Sequence, residues 1–88
     1  MTVNGQRFKA IVKVGLKRSV LDPQGKTVLR ALHSLGFEEA KDLRVGKSFE
    51  IVLEGGDQKT VENSVRQFCE KLLVNPVIEE YSFTVTPV

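Results

Sequence analysis

The stretch RFKAIVKVGLK, residues 7–17, alternates from end to end. Phe8, Ala10, Val12, Val14 and Leu16 share one side; Arg7, Lys9, Ile11, Lys13 and Lys17 take the other. Successive side chains of a strand point to opposite faces, so this pattern demands a strand with one face buried and one face wet. Such a strand is not stable alone. The rest of the chain must supply neighbouring strands and a cover for the apolar row. With 88 residues there is room for one small domain, residues 1–88, with a modest core.

The period then changes. In LDPQGKTVLRALHSLGF, residues 21–37, Val28, Ala31, Leu32 and Leu35 fall on one helical stripe. Asp22 suits the cap, because its carboxylate can accept from a free amide of the first turn, and Pro23 suits the first helical position. Gly36 suits the stop. Residues 41–54, KDLRVGKSFEIVLE, read as two strands joined by a tight turn near Val45–Lys47, with Leu43, Val45, Phe49, Ile51 and Leu53 facing in. Asp57 caps a second helix, whose stripe is Val61, Val65, Phe68, Cys69 and Leu72. Asn75-Pro76 ends it, since the residue before proline is pushed out of the helical region. A last strand runs over 77–86, with Tyr81, Phe83 and Val85 inward.

The order is β-α-β twice over. Crossovers of this kind are right-handed, and both helices carry one apolar stripe, so both can cover the same sheet face. The expected architecture is an α+β, ferredoxin-like β-α-β-β-α-β sandwich: a four-stranded antiparallel sheet of order 4-1-3-2 with two helices on one face.

Composition narrows the function. No apolar run approaches the ~20 residues of a membrane span, and MTVNGQRFK lacks the apolar centre of a signal peptide. The expectation is a cytoplasmic chain without a membrane partner. Cys69 is the only cysteine, so it forms no internal disulfide and by itself no zinc site. The net charge of +2 divides into +5 over residues 1–44 and −3 over residues 45–88. Arg7, Lys9, Lys13 and Lys17 on one strand face resemble a nucleic-acid stripe. In the expected topology, however, the flanking strands bring Glu50, Glu54 and Glu80 to the same face, and opposite charges across strands stabilise one another. Base-stacking aromatics are missing from that face too. No nucleic acid is expected as a partner. Ile11, Val52 and Ile78 share its parity and are candidates for self-association.

Candidate chemistry is sparse. His33 lies away from the helix stripe with no nucleophile or second ligand near it in sequence. Cys69 reads as a small buried hydrophobe. DPQG lacks the lysine and repeated glycines of a phosphate cradle, so it reads as a helix start. Gly25 is then unexplained, because a glycine there costs about 1 kcal/mol relative to alanine. Catalytic, cofactor-binding and metal-ligating residues are each expected to be absent.

Three segments in order, VLDPQG…V..ALHSLGF, LRVGKSFEIVLE and VRQFCEKLLVNPVIEEY, resemble the PurS family, the small subunits of phosphoribosylformylglycinamidine synthase. The resemblance runs from about Phe8 to Tyr81. It implies a subunit with no catalytic group of its own, within an ATP- and glutamine-dependent amidoligase of purine biosynthesis. ATP and Mg would be used by the larger synthetase subunit. The chain would act as a homodimer or higher homo-oligomer, help assemble the glutaminase and synthetase subunits, and have a part in ammonia transfer. On that reading Gln24 and Gly25 shape a surface that a partner approaches, and Arg44, Gly46 and Lys47 offer a second contact. The alternative of another class is a free-standing ligand-sensing module of the same fold, using the loop KRSVLDPQG, residues 17–25.

Overall fold

The computed structural model describes residues 6–88. Strand β1 (Arg7–Leu16) runs down the middle of a three-stranded sheet, between β2 (Gly46–Glu54) and β3 (Glu79–Pro87). Both pairings are antiparallel, with Ile11 opposite Glu50 on one side and Thr84 on the other. Helix α1 (Pro23–Ser34) lies between β1 and β2 in the chain, and α2 (Gln58–Phe68) between β2 and β3.

The alternation of β1 is realised as read. Phe8, Ala10, Val12 and Val14 are buried, and they meet Val61, Val65 and Cys69 of the second helical segment, with Val74 and Val85 closing the core. Burying a side chain of this kind contributes about 1.5–3 kcal/mol. Asp57 caps α2, accepting from the Thr60 amide at 2.8 Å. That bond and one from the Thr60 side chain hold its carboxyl below the ordinary range. Past Phe68 the helix widens into a π turn, Cys69–Leu73, closed by Val74 N–H donating to the Cys69 carbonyl. The wider turn changes which side chain faces in. Leu73 packs on the core, while Leu72, expected in the stripe, is 83% exposed.

Two expectations fail together. The segment before β2 is no strand: β2 begins at Gly46, so there is no hairpin turn at Val45–Lys47, and the sheet keeps the 4-1-3 part of the expected order with its fourth position empty. The reason is local. The Val45 amide donates to Asp22 Oδ2 at 2.8 Å, and the Leu43 amide donates to Asp42 Oδ1 at 2.9 Å. Backbone donors held by carboxylates do not form a ladder.

The second failure concerns α1. Helix α2 packs on the sheet, but Gly25 is the one buried residue of α1. Val28 and Leu35 of its stripe are 40% and 73% exposed. The helix is well made nonetheless. Asp22 accepts from the Gly25 amide, and the helix closes with Gly36 N–H to His33 O and Phe37 N–H to Leu32 O, with Gly36 at φ 98°. That is a glycine-dependent C-terminal motif. The arm formed by residues 17–45 therefore projects from one end of the sheet. The described residues measure 59 × 27 × 14 Å with a radius of gyration of 17.4 Å, against roughly 12 Å for a compact chain of about this length.

Candidate functional site

The base of the arm is tied by two side chains. The Asp22 carboxylate bridges the Gly25 and Val45 amides, and these bonds, Val45 first, hold its carboxyl below the ordinary range with help from the charge of Arg44. Arg44 Nη2 donates to the carbonyls of Lys17 at 2.9 Å, Val20 at 3.2 Å and Leu16 at 3.4 Å. One guanidinium thus gathers the whole loop after β1. Gly25 now has its explanation. A Cβ there would stand 2.5 Å from the Leu43 carbonyl oxygen, so the room is filled by the chain itself and not left for a visitor.

Where the arm meets the sheet, a groove of about 830 Å³ opens. Register defines its floor. On the solvent face one row is Gly46–Gly15–Glu80 and the next is Ser48–Lys13–Ser82. All six residues line the groove, with Arg18 and Arg44 at its rim; Lys47 also borders it, but it pairs with Val14 and so sends its side chain to the core side of the sheet. Arg18 faces Asp42 at 3.8 Å and Lys47 faces Glu79 at 3.8 Å. Lys47 also sits 5.7 Å from the centre of the Phe49 ring. Among the described residues, no carboxylate lies within ion-pair distance of Lys13.

Of the five positions read from sequence as partner contacts, Arg44, Gly46 and Lys47 come together here. Gln24 is exposed on the first turn of α1, outside the groove, and Gly25 is buried. Sequence reading missed Lys13, Gly15, Ser48 and Ser82. A central-strand glycine with no packing partner was the available signal. Ile11, Val52 and Ile78 do not form one patch. Val52 pairs with Lys9, next on that face to Ile11, whereas Ile78 bonds to Lys17, about 20 Å further along the strand. The matching of charge across the face is narrower than expected. Arg7 pairs with Glu54 at 3.5 Å, but Glu50 lies opposite Ile11 and Glu80 opposite Gly15.

On the other face a second groove, about 450 Å³, runs between α2 and β2. Ile51, Phe68, Leu72 and Leu73 make it apolar. This is the half of the sheet that the expected fold would cover with α1. Cys69 is buried near its end of the core, and burial raises its thiol pKa. His33 Nε2 bonds to the Ala40 carbonyl at 2.7 Å, which ties the end of α1 to the return loop. Among the described residues no helix is long and apolar enough to cross a membrane, and no group of three or more His, Cys, Asp or Glu could hold a metal ion.

The chain has close relatives. The family model PurS, phosphoribosylformylglycinamidine (FGAM) synthase, matches residues 9–87. The phosphoribosylformylglycinamidine synthase subunit PurS of Bacillus subtilis is 47% identical over 81 residues, covering 92% of this chain and 95% of that protein. The Methanocaldococcus jannaschii PurS crystal structure is similar at a TM-score of 0.86 and 40% identity, covering 92% of this chain and 98% of that one. A chain of the PurLQS structure from Thermotoga maritima is similar at a TM-score of 0.83 and 36% identity, covering 93% and 98%.

Proposed function

Because the chain belongs to the PurS family, we propose that it is the small, non-catalytic subunit of phosphoribosylformylglycinamidine synthase, in de novo purine biosynthesis. Its work is assembly. In that reaction glutamine supplies ammonia, and ATP drives amidation of formylglycinamide ribonucleotide. A glutaminase subunit and a larger synthetase subunit carry the two chemistries, and ATP and Mg belong to the latter. This chain joins them in the cytoplasm and assists the passage of ammonia.

One observation carries the reading: the chain leaves two matching apolar surfaces uncovered and holds them apart. The stripe of α1 is exposed, and so is the groove at Ile51, Phe68 and Leu72. The clamp of Asp22 and Arg44 stiffens the arm, so α1 does not fold back onto its own sheet. A second copy supplies the cover, each α1 lying in the apolar groove of the other. Ile11 and Val52 are assigned to contacts beyond that pair. The basic groove at the arm's base, with Arg44, Gly46 and Lys47, meets a partner subunit, and Gln24 lies beside that approach.

A ligand-sensing module would need the loop of residues 17–25 as its site. Here Arg44 holds three carbonyls at that loop, and the space over Gly25 is filled by Leu43. The discriminating experiment is reconstitution by omission. Glutaminase and synthetase subunits with this chain should convert formylglycinamide ribonucleotide at the expense of glutamine and ATP. Without it, glutamine-dependent turnover should fall at least tenfold while ammonia-dependent turnover persists. Equal glutamine-dependent rates with and without the chain would refute the assignment.

A further inference from the structure

The rows Gly46–Gly15–Glu80 and Ser48–Lys13–Ser82 put four of the smallest side chains around one lysine. Gly15 occupies the middle strand of the sheet, where glycine has no side chain to pack and loses more freedom on folding than any other residue. Gly46 has an internal reason: a Cβ there would stand 2.6 Å from the Val14 carbonyl oxygen. Gly15 has none, since a Cβ would meet nothing within 4 Å. The space above it is open, and it is the floor of the 830 Å³ groove.

The charges say what fits. Arg18 faces Asp42, Lys47 faces Glu79, and Arg44 is turned toward three carbonyls. Of the four cations that line the groove, Lys13 is therefore the one with neither a carboxylate nor a carbonyl partner among the described residues, and it has a serine on each side. A phosphate ligand wants several convergent donors. One lysine flanked by two hydroxyls suits a single carboxylate. Glu80 at the end of the first row disfavours a second acid beside it.

We propose that this groove receives an extended segment of a partner subunit, whose backbone passes over Gly15 and Gly46 and whose one Glu or Asp side chain pairs with Lys13. The proposal rests on the assembly function above and names the chemistry of its contact.

Two experiments separate this idea from that premise. Gly15→Val adds a β-branched residue to a strand with space for it, so it should leave the melting temperature unchanged or raise it. It should nonetheless weaken assembly with the glutaminase and synthetase subunits at least tenfold, as should Lys13→Glu. Lys9→Glu, on the same face but outside the groove, should assemble normally. Normal assembly by both groove variants would overturn the proposal. So would loss of self-association in Gly15→Val, because the occupant would then be a second copy. The other experiment needs no partner. A blocked Gly-Gly-Glu-Gly-Gly peptide at millimolar concentration should shift the amide resonances of Lys13, Gly15, Ser48 and Ser82, whereas the Gln counterpart should not. No response, or an equal response to both peptides, would overturn the groove assignment even if the three subunits assemble. Failure of the unmodified chain to join them, with the peptide response intact, would overturn the assembly function alone.

Discussion

Asp22 accepts from two amides that lie 20 residues apart, Gly25 and Val45, and so it both starts a helix and ends a loop. Losing it exposes two unmet donors at once. Asp22→Ala should lower the melting temperature by at least about 4 °C. The pH dependence has a definite sign. The native carboxyl sits below its ordinary range, so as pH falls the unfolded chain takes up a proton before the native one does. The stability it lends is full above the unfolded value near pH 4 and is lost as pH drops through the native value. Asp22→Asn should therefore melt lower at pH 7 and lose less on going from pH 5 to pH 3. Parallel acid profiles for the two proteins would show that this carboxylate does not hold the arm.

At the scale of elements, α2 is the cover that the chain provides for itself. Val65 lies fully buried at its seam with the sheet. Val65→Ala should cost about 2 kcal/mol in urea unfolding; a change below about 0.5 kcal/mol would mean that this seam is not close-packed. How far sequence carried the fold varies by element. The strand at residues 7–17 was legible because alternation survives any choice of neighbour, and both helix starts were legible because Asp22 and Asp57 cap locally. The strand expected before Gly46 was not, although Leu43 and Val45 alternate, since side chains of Asp42 and Asp22 take its amides. The inward place of Leu73 depends on a π turn, which leaves no sequence period of its own. The groove was half legible. Arg44, Gly46 and Lys47 are adjacent in the chain, but only the register brings Gly15 and Ser82 beside them.

At the scale of the whole molecule, the described residues form one sheet, one covering helix and one arm that stands clear of the sheet. Helix α1 forms as expected, but it stands away from the sheet it was expected to cover. In the proposed pairing a second copy completes the core, with α1 of each chain in the groove between α2 and β2 of the other. Charge on the α1 stripe should then break the pair without harming the arm's clamp. The most direct measurement is sedimentation equilibrium at micromolar concentration, on the unmodified chain and on Leu32→Glu/Leu35→Glu. The expected result is a mass of at least twice 9.8 kDa for the first and a folded monomer for the second. A monomeric unmodified chain, or a double variant that associates as strongly, would contradict it.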